Sequence, residues 1–335
     1  MPDPVTLAVL ALGVTMLIYT LTGGADFGGG VWDLLASGPR KHAQRRAVAT
    51  VIAPIWEVNH VWLIAIVVLL FACFPAGFGI VATALHLPLT MMLVGIVLRG
   101  TSFTFRAYGL ADPAERERWS LVFSISSIVT PVFLGVSAGT LASGAIRVEG
   151  GRVLTGFVEP WLQPFPMLVG LLTLALCAHL AAVYLCLEVE GELQDDFRTR
   201  ALASGVLVGV LAWAALAAST AGAPAVHEAL LRPTGPTVAL QAATGCAAVA
   251  TLGAITARRF AAARVLVAAQ TGGILAGWAW AQGPLLVVPD VAFADVAAPD
   301  AVLRVVLTAF AVGGVFLLPA LVFLFRTFGK REQGA

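Results

Sequence analysis

Runs of about twenty apolar residues recur along this chain, and a run of that length crosses the hydrocarbon of a membrane as one α-helix. Inside lipid every backbone N–H and C=O needs a partner within its own segment, so a helix is the form such a run takes. The runs lie at 5–25 (continuing to about 35), 48–72, 78–100, 119–142, 164–187, 201–221, 237–257, 262–283 and 303–326. Nine crossings are predicted, making the chain an all-α polytopic membrane protein. Composition agrees: apolar residues make up 59% of the 335 positions and charged ones 12%. A soluble domain carries about twice that share of charge.

The basic residues test the count. With the N-terminus outside, sixteen of the 20 fall in segments facing the cytoplasm, among them Arg40, Arg45, Arg46, Arg99, Arg106, Arg198, Arg258 and Arg264. Only Arg147, Arg152, Arg232 and Arg304 fall outside. The positive-inside rule requires such a bias, and an even number of crossings would break it. The predicted C-terminus is therefore cytoplasmic.

The longest connections, 143–163 and 284–302, are too short to fold a separate catalytic domain. Residues 1–335 read as a single membrane domain. No basic stripe with interleaved aromatics is present, which argues against nucleic acid as a partner. Cys73, Cys177, Cys186 and Cys246 lie in or beside apolar runs without metal-ligand spacing and read as packing residues. The N-terminus lacks the basic region and cleavage site of a signal peptide, so the first run is expected to remain as a helix.

Ionisable side chains within the runs are few, and they concentrate at one end of the sequence. Asp26 stands in GADFGGG, Glu57 and His60 in WEVNHVW, and His86 in ALHLPLT. Each charged form costs roughly 2.5–3.5 kcal/mol at the centre of a span. A helix rise of about 1.5 Å per residue puts Asp26 and Glu57 at one level, ~14 Å from the cytoplasmic end, and His60 and His86 at ~18–20 Å. Two readings stand for the carboxylates: a static group, protonated or bonded to helix ends and to Arg99 or Arg106, or a relay for protons from the cytoplasm. The two histidines read either as bis-imidazole haem ligands or as hydrogen-bonded buried residues, the second being preferred. His179 is alone in its run and reads as packed.

The glycines around Asp26 weaken a helix by about 1 kcal/mol each, which predicts a break or a close approach of backbones. Gly24 with Gly28, and Gly135 with Gly139, have the small-xxx-small spacing of tight helix pairs. Ser120, Ser124 and Ser127 line one face of the fourth run, where interhelical bonding or back-bonding is preferred over a proton wire. Trp32 suits an interfacial anchor, while Trp56 and Trp62 lie deeper.

GADFGGGVWDLL, IAPIWEVNHVWLI, FPAGF and ALHLPLTMMLVGIVLRGTSFTFR resemble, in order and spacing, the N-terminal third of cytochrome bd oxidase subunit II. GWAWAQGPLLV, at 277–287, resembles that family's penultimate span. The resemblance implies two four-helix bundles (1–142 and 164–283) plus a peripheral ninth helix at 303–326. It also implies a heterodimer in a bacterial cytoplasmic membrane, in which subunit I holds the three haems and the quinol site. The complex would oxidise quinol and reduce dioxygen to water, and the isolated chain would be inactive. This chain would hold no haem or metal; some members carry a structural quinone, and a small single-helix accessory subunit is a further partner of such complexes.

Carried over by position, Asp26 and Glu57 fall where the family places proton supply, and Trp62 where it places the oxygen route. His60, His86, Arg99 and Trp56 would stand around them. Glu57 replaces the Asp of other members, and His60 a Gln of some. The rival classes are a proton-coupled transporter, which predicts matching ionisable residues in the second half, and a haem cytochrome using His60 and His86.

Overall fold

The computed structural model describes residues 3–52, 56–108 and 112–328, except the side chains of 52, 56–58, 106–108, 113, 116, 318, 322 and 324–328. The long helices are α1 (Pro4–Leu34), α3 (Trp56–Cys73), α5 (His86–Tyr108), α6 (Pro113–Ser143), α7 (Pro164–Glu188), α8 (Gly191–Gly222), α10 (Gly235–Thr256), α11 (Phe260–Gln282) and α12 (Asp300–Phe328). Shorter ones are α2 (Lys41–Ile52), α4 (Pro75–Ala84) and α9 (Pro224–Leu231). Proline at the first or second position opens several of these, where its missing N–H removes no helical bond. Asp3 and Asp112 cap α1 and α6 by accepting from Thr6 N and Ala114 N.

Among the described residues, eight helices are long and apolar enough to cross a membrane, or nine with the pair α3–α4 counted as one broken crossing. That pair corrects the sequence reading. The chain turns by 118° at Phe74, and α4 ends at Ala84, so the third long helix begins at His86 and not near residue 78. Apolar residues on both sides of the bend hid it, because α4 buries its face against the loops: a Cβ at Gly77 would meet Leu286 and Val296. The shift of about eight residues draws Arg99 out of the loop and into the helical core, where it is 4% exposed.

The centre of the molecule is α7, two-thirds buried, and α12 at 6% is the least buried of the eight crossing helices. Helix α7 contacts α1, α6 and α8, α5 lies on α6, and α10 on α11. Close approach has the cause expected from composition. A Cβ at Gly28 of α1 would overlap the Cys177 carbonyl of α7, and one at Gly135 of α6 would collide with Thr173. Despite its glycines α1 has no break. Trp32 is no interfacial anchor: it is 7% exposed and its Nε1 donates to the Ala178 carbonyl at 2.8 Å, carrying α1 onto α7.

At the end of the molecule opposite α2, the two longest connections form small hairpins, β1 (Val148–Glu149) with β2 (Arg152–Val153), and β3 (Leu285–Val287) with β4 (Val291–Ala292). Phe74, Leu85, Ile146, Val287 and Leu303 make a buried cluster beneath them. Asp290 joins the two loops, accepting from Arg147 Nε at 2.7 Å and from the Val148 N–H at 2.8 Å. The Arg147 bond, then that N–H, holds its carboxyl below the usual range. A depressed folded-state pKa gives stability that is present above the ordinary carboxylate value, about 3.9, and lost as pH falls through the lowered one. The Arg147 side chain is 60% exposed, so water and salt screen the pair and its contribution is small. Protection from hydrogen exchange in residues 146–153 and 285–292, measured relative to the intrinsic rate at each pH, is therefore expected to fall as pH drops below the ordinary carboxylate range. In an Asp290→Asn variant these loops should be less protected at neutral pH and lose little further protection on acidification.

Candidate functional site

The site is centred on Asp26, in the glycine segment of α1. Its carboxylate is 3% exposed and is held by both arms of the Arg99 guanidinium, Nη1 to Oδ2 at 2.7 Å and Nη2 to Oδ1 at 2.5 Å. Arg99 Nε donates to Ser127 Oγ at 2.9 Å, and the Phe27 and Phe123 rings lie 5.1 and 4.9 Å from the guanidinium carbon. Two charges removed from water survive only with partners and geometry of this kind. The arrangement needs glycine: Asp26, Gly30 and Asp33 follow at i, i+4 and i+7 on one face, and a Cβ at Gly30 would strike Ser127.

A small cavity opens beside the pair, lined by Tyr19, Asp26, Phe27, Asn59, His60, Ile96 and Arg99. At about 10 Å³ it is near the size that admits one water. Asn59 is 3% exposed, and among the described residues neither its amide nitrogen nor its oxygen has a partner. A buried amide left so costs of order 1–3 kcal/mol, so a water bridging Asn59 to the ion pair fits the chemistry. The cavity thus joins a charged pair to hydroxyl, amide and imidazole groups.

Of the residues singled out from sequence, Asp26, His60 and Arg99 come together here. His86 does not. It opens α5 thirteen residues before Arg99, about 20 Å along the helix. Its ring packs edge-on to Phe157 of the first long connection at 4.7 Å, and Nδ1 lies 3.0 Å from the Thr83 carbonyl. The expected equal depth of His60 and His86 is overturned, and with it the geometry a bis-histidine haem needs. Trp62 is 8% exposed in a cluster with Tyr19, Phe27 and Cys177. The side chains of Glu57, Trp56 and Arg106 lie outside the described residues.

Asn59 and Asp33 escaped the sequence reading. Asn59 is uncharged, and Asp33 falls where the first run was expected to end, yet Asp33 is fully buried and accepts from Ser124 Oγ at 3.0 Å. Its spacing from Asp26, two helical turns, was the available signal. His179 is packed as expected, with Nδ1 3.3 Å from Ser204 Oγ.

Residues 4–328 match the family described as "Cytochrome bd terminal oxidase subunit II". The chain belongs to that family. The "Cytochrome bd ubiquinol oxidase subunit 2" of Bacillus subtilis (strain 168) is 29% identical over 198 residues, 58% of this chain and 57% of that protein. The "Cytochrome bd-I ubiquinol oxidase subunit 2" of Escherichia coli (strain K12) is 30% identical over 211 residues, 62% of this chain and 54% of that protein. The matched region thus spans little more than half the length of these curated relatives. A chain in "The structure of bd oxidase from Geobacillus thermodenitrificans" superposes with a TM-score of 0.82 at 20% identity, covering 98% of this chain and 100% of that one. At that identity the superposition shows a shared fold. The resemblance read from the GADFGGG and WEVNHVW segments is confirmed. In this subunit II chain the matched region includes the Asp26–Arg99 pair and its cavity.

Proposed function

We propose that the chain is the haem-free second subunit of a quinol:dioxygen oxidoreductase, in a heterodimer with a haem-bearing subunit I, and that it supplies protons to that partner through Asp26 and Glu57. The observation carrying this reading is the buried Asp26–Arg99 pair beside a cavity that Asn59 enters with two unsatisfied polar atoms. Arg99 holds the Asp26 carboxyl in place deep in the chain, and a water in the cavity would take a proton onward from it. Glu57 stands two residues before Asn59 and three before His60 in the sequence and is the second carboxylate of this reading. Trp62, packed on Phe27 and Tyr19, would border the path of dioxygen.

In this reading the arginine-rich end bearing α2 faces the cytoplasm of a bacterial inner membrane, with the N-terminus outside. α1, α3, α5 and α6 form one four-helix bundle, α7, α8, α10 and α11 the other, and α12 stands at the edge, as its slight burial supports. Apolar surface such as Trp213, 75% exposed, and Phe316, 74% exposed, suits lipid or the partner subunit.

The test has two arms. The tagged chain, expressed in its native membrane, is expected to co-purify with a haem-containing subunit and to be inactive without it. In that complex Glu57→Gln should slow oxygen consumption by about tenfold while the haem spectrum survives. Turnover unchanged at neutral pH would overturn the relay, and a chain active alone or holding its own haem would overturn the assignment.

A further inference from the structure

The connection between α6 and α7 divides into two unlike halves. Residues 147–152 carry Arg147, Glu149 and Arg152 and form the hairpin tied to Asp290. Residues 153–163 carry one charge, Glu159, and present large apolar side chains instead. Leu154, Phe157, Val158 and Leu162 are each between 41% and 61% exposed. A contiguous apolar patch of that kind marks contact with a membrane or another protein.

Two ring contacts fix how deep this half lies. Phe157 packs against His86, the first residue of α5, and the Trp161 ring lies 6.1 Å from that of Phe133 in α6. α5 and α6 are consecutive crossings and run in opposite directions. Their register is set where a Cβ at Gly95 would meet the Thr130 hydroxyl. His86, nine residues before Gly95, therefore stands level with a point near residue 139 of α6, about 6 Å short of the end of that helix at Ser143. Phe133 is about 15 Å short of the same end. The connection thus does not stand clear of the helix ends. It folds back along α5 and α6 to the level of α4, which ends two residues before His86. Within the next two turns α5 itself exposes Met91, Leu93 and Val94, so apolar surface continues from the connection into the crossing.

We propose that residues 154–162 are a membrane anchor outside the crossings, inserted at the boundary between hydrocarbon and headgroups, with phospholipid as the partner. The leaflet is the one opposite the arginine-rich end, the outer one in the orientation given above. Tryptophan and other aromatic rings favour that boundary. Irregular backbone exposed to lipid is not sustained in the hydrocarbon itself, which sets the depth at the headgroups. Part of the polar demand is met locally: Trp161 Nε1 donates to the Phe157 carbonyl at 2.7 Å, the Leu162 N–H to the Val158 carbonyl at 3.1 Å, and Gln163 Nε2 to the Glu159 carbonyl at 3.1 Å. Water among the headgroups serves the rest. Lipid suits the patch better than a protein does. Trp161 keeps its one donor for its own loop, and Leu154, Phe157, Val158 and Leu162 offer a partner chain none of the side-chain hydrogen bonds that protein interfaces carry. The inference is independent of the relay.

The test places the photocrosslinker p-benzoylphenylalanine at Leu162, Phe157 or Arg152 in turn. The complex is purified from its native membrane and reconstituted in nanodiscs of phosphatidylethanolamine and phosphatidylglycerol, with the haem spectrum recorded as a check on assembly. After irradiation, mass spectrometry of the chain is expected to show the adduct of one phospholipid at positions 162 and 157, several-fold more than at 152 on the charged hairpin. Position 157 also touches His86, so if replacement there prevents assembly position 162 decides. An adduct with a protein chain in place of lipid, whether the haem-bearing subunit or a second copy, overturns the proposal and makes the patch a protein interface. Equally low yields at all three positions, as for side chains in water, overturn it too.

Discussion

Replacing Arg99 by Met is expected to destabilise the protein by about 3–5 kcal/mol, and replacing Asp26 and Arg99 together by Leu and Met to recover most of that loss. The reason is the asymmetry of buried charge. The guanidinium satisfies both oxygens of a carboxylate that is 3% exposed, and also donates to Ser127. Removing it leaves the Asp26 carboxylate buried among Tyr19, Phe27 and Phe123 without its two charged bonds, whereas an apolar pair of similar volume strands nothing. Arg99→Lys should fall between, because an ammonium is a single point and cannot span two carboxylate oxygens and a serine at once. Thermal denaturation of the detergent-purified complex measures this ranking. A double variant as unstable as the single one would show that the pair does more than cancel its own desolvation.

How far this site could be seen in the sequence depends on which physical signal each residue leaves. The helices were legible because apolar runs of span length admit few alternatives, and Asp26 was legible because a carboxylate in such a run is costly. Its partner was narrowed to Arg99 or Arg106, and the choice lay in the third helix's register. That register could not be read. The bend at Phe74 is flanked by apolar residues on both sides, so a helix lying across the loops has the same composition as one crossing the membrane. The same eight residues misplaced His86, which made a haem pair look geometrically available. Trp32 failed differently: tryptophan at a span end favours the interface on average, but one bond to the Ala178 carbonyl buries this one. Asp33 was hidden by its place at the end of a run, where charge is ordinarily solvated. The serine row was read as interhelical bonding or back-bonding, and it shows both: Ser127 bonds Phe123 O at 2.7 Å, and Ser124 bonds Asp33 of α1 at 3.0 Å.

The glycines allow a second large effect. Gly28→Leu is expected to abolish assembly, since even a Cβ at that position would overlap the Cys177 carbonyl, and backbone cannot yield as a side chain can. Gly28→Ala should cost about 1–3 kcal/mol or more, the range of an overfilled core. At Gly24, one turn away, an added Cβ meets only Leu180 Cδ1 at 3.2 Å and Cys177 Sγ at 3.5 Å, side-chain atoms that can turn aside. At Gly13 it meets nothing within 4 Å, so Ala there should gain about 0.5–1 kcal/mol of helix propensity. The order Gly28→Ala, Gly24→Ala, Gly13→Ala, from most to least harmful, separates crowding from propensity, which alone would make all three stabilising. It also couples the fold to the site. Gly28 sits between Asp26 and Gly30, so pushing α1 away from α7 shifts Asp26 against Arg99, where bonds of 2.5 and 2.7 Å leave little slack. Gly28→Ala should therefore lose oxygen consumption out of proportion to its fall in denaturation temperature, and Gly24→Ala should not. Equal effects of the two on turnover would mean that the spacing of α1 and α7 does not position the carboxylate.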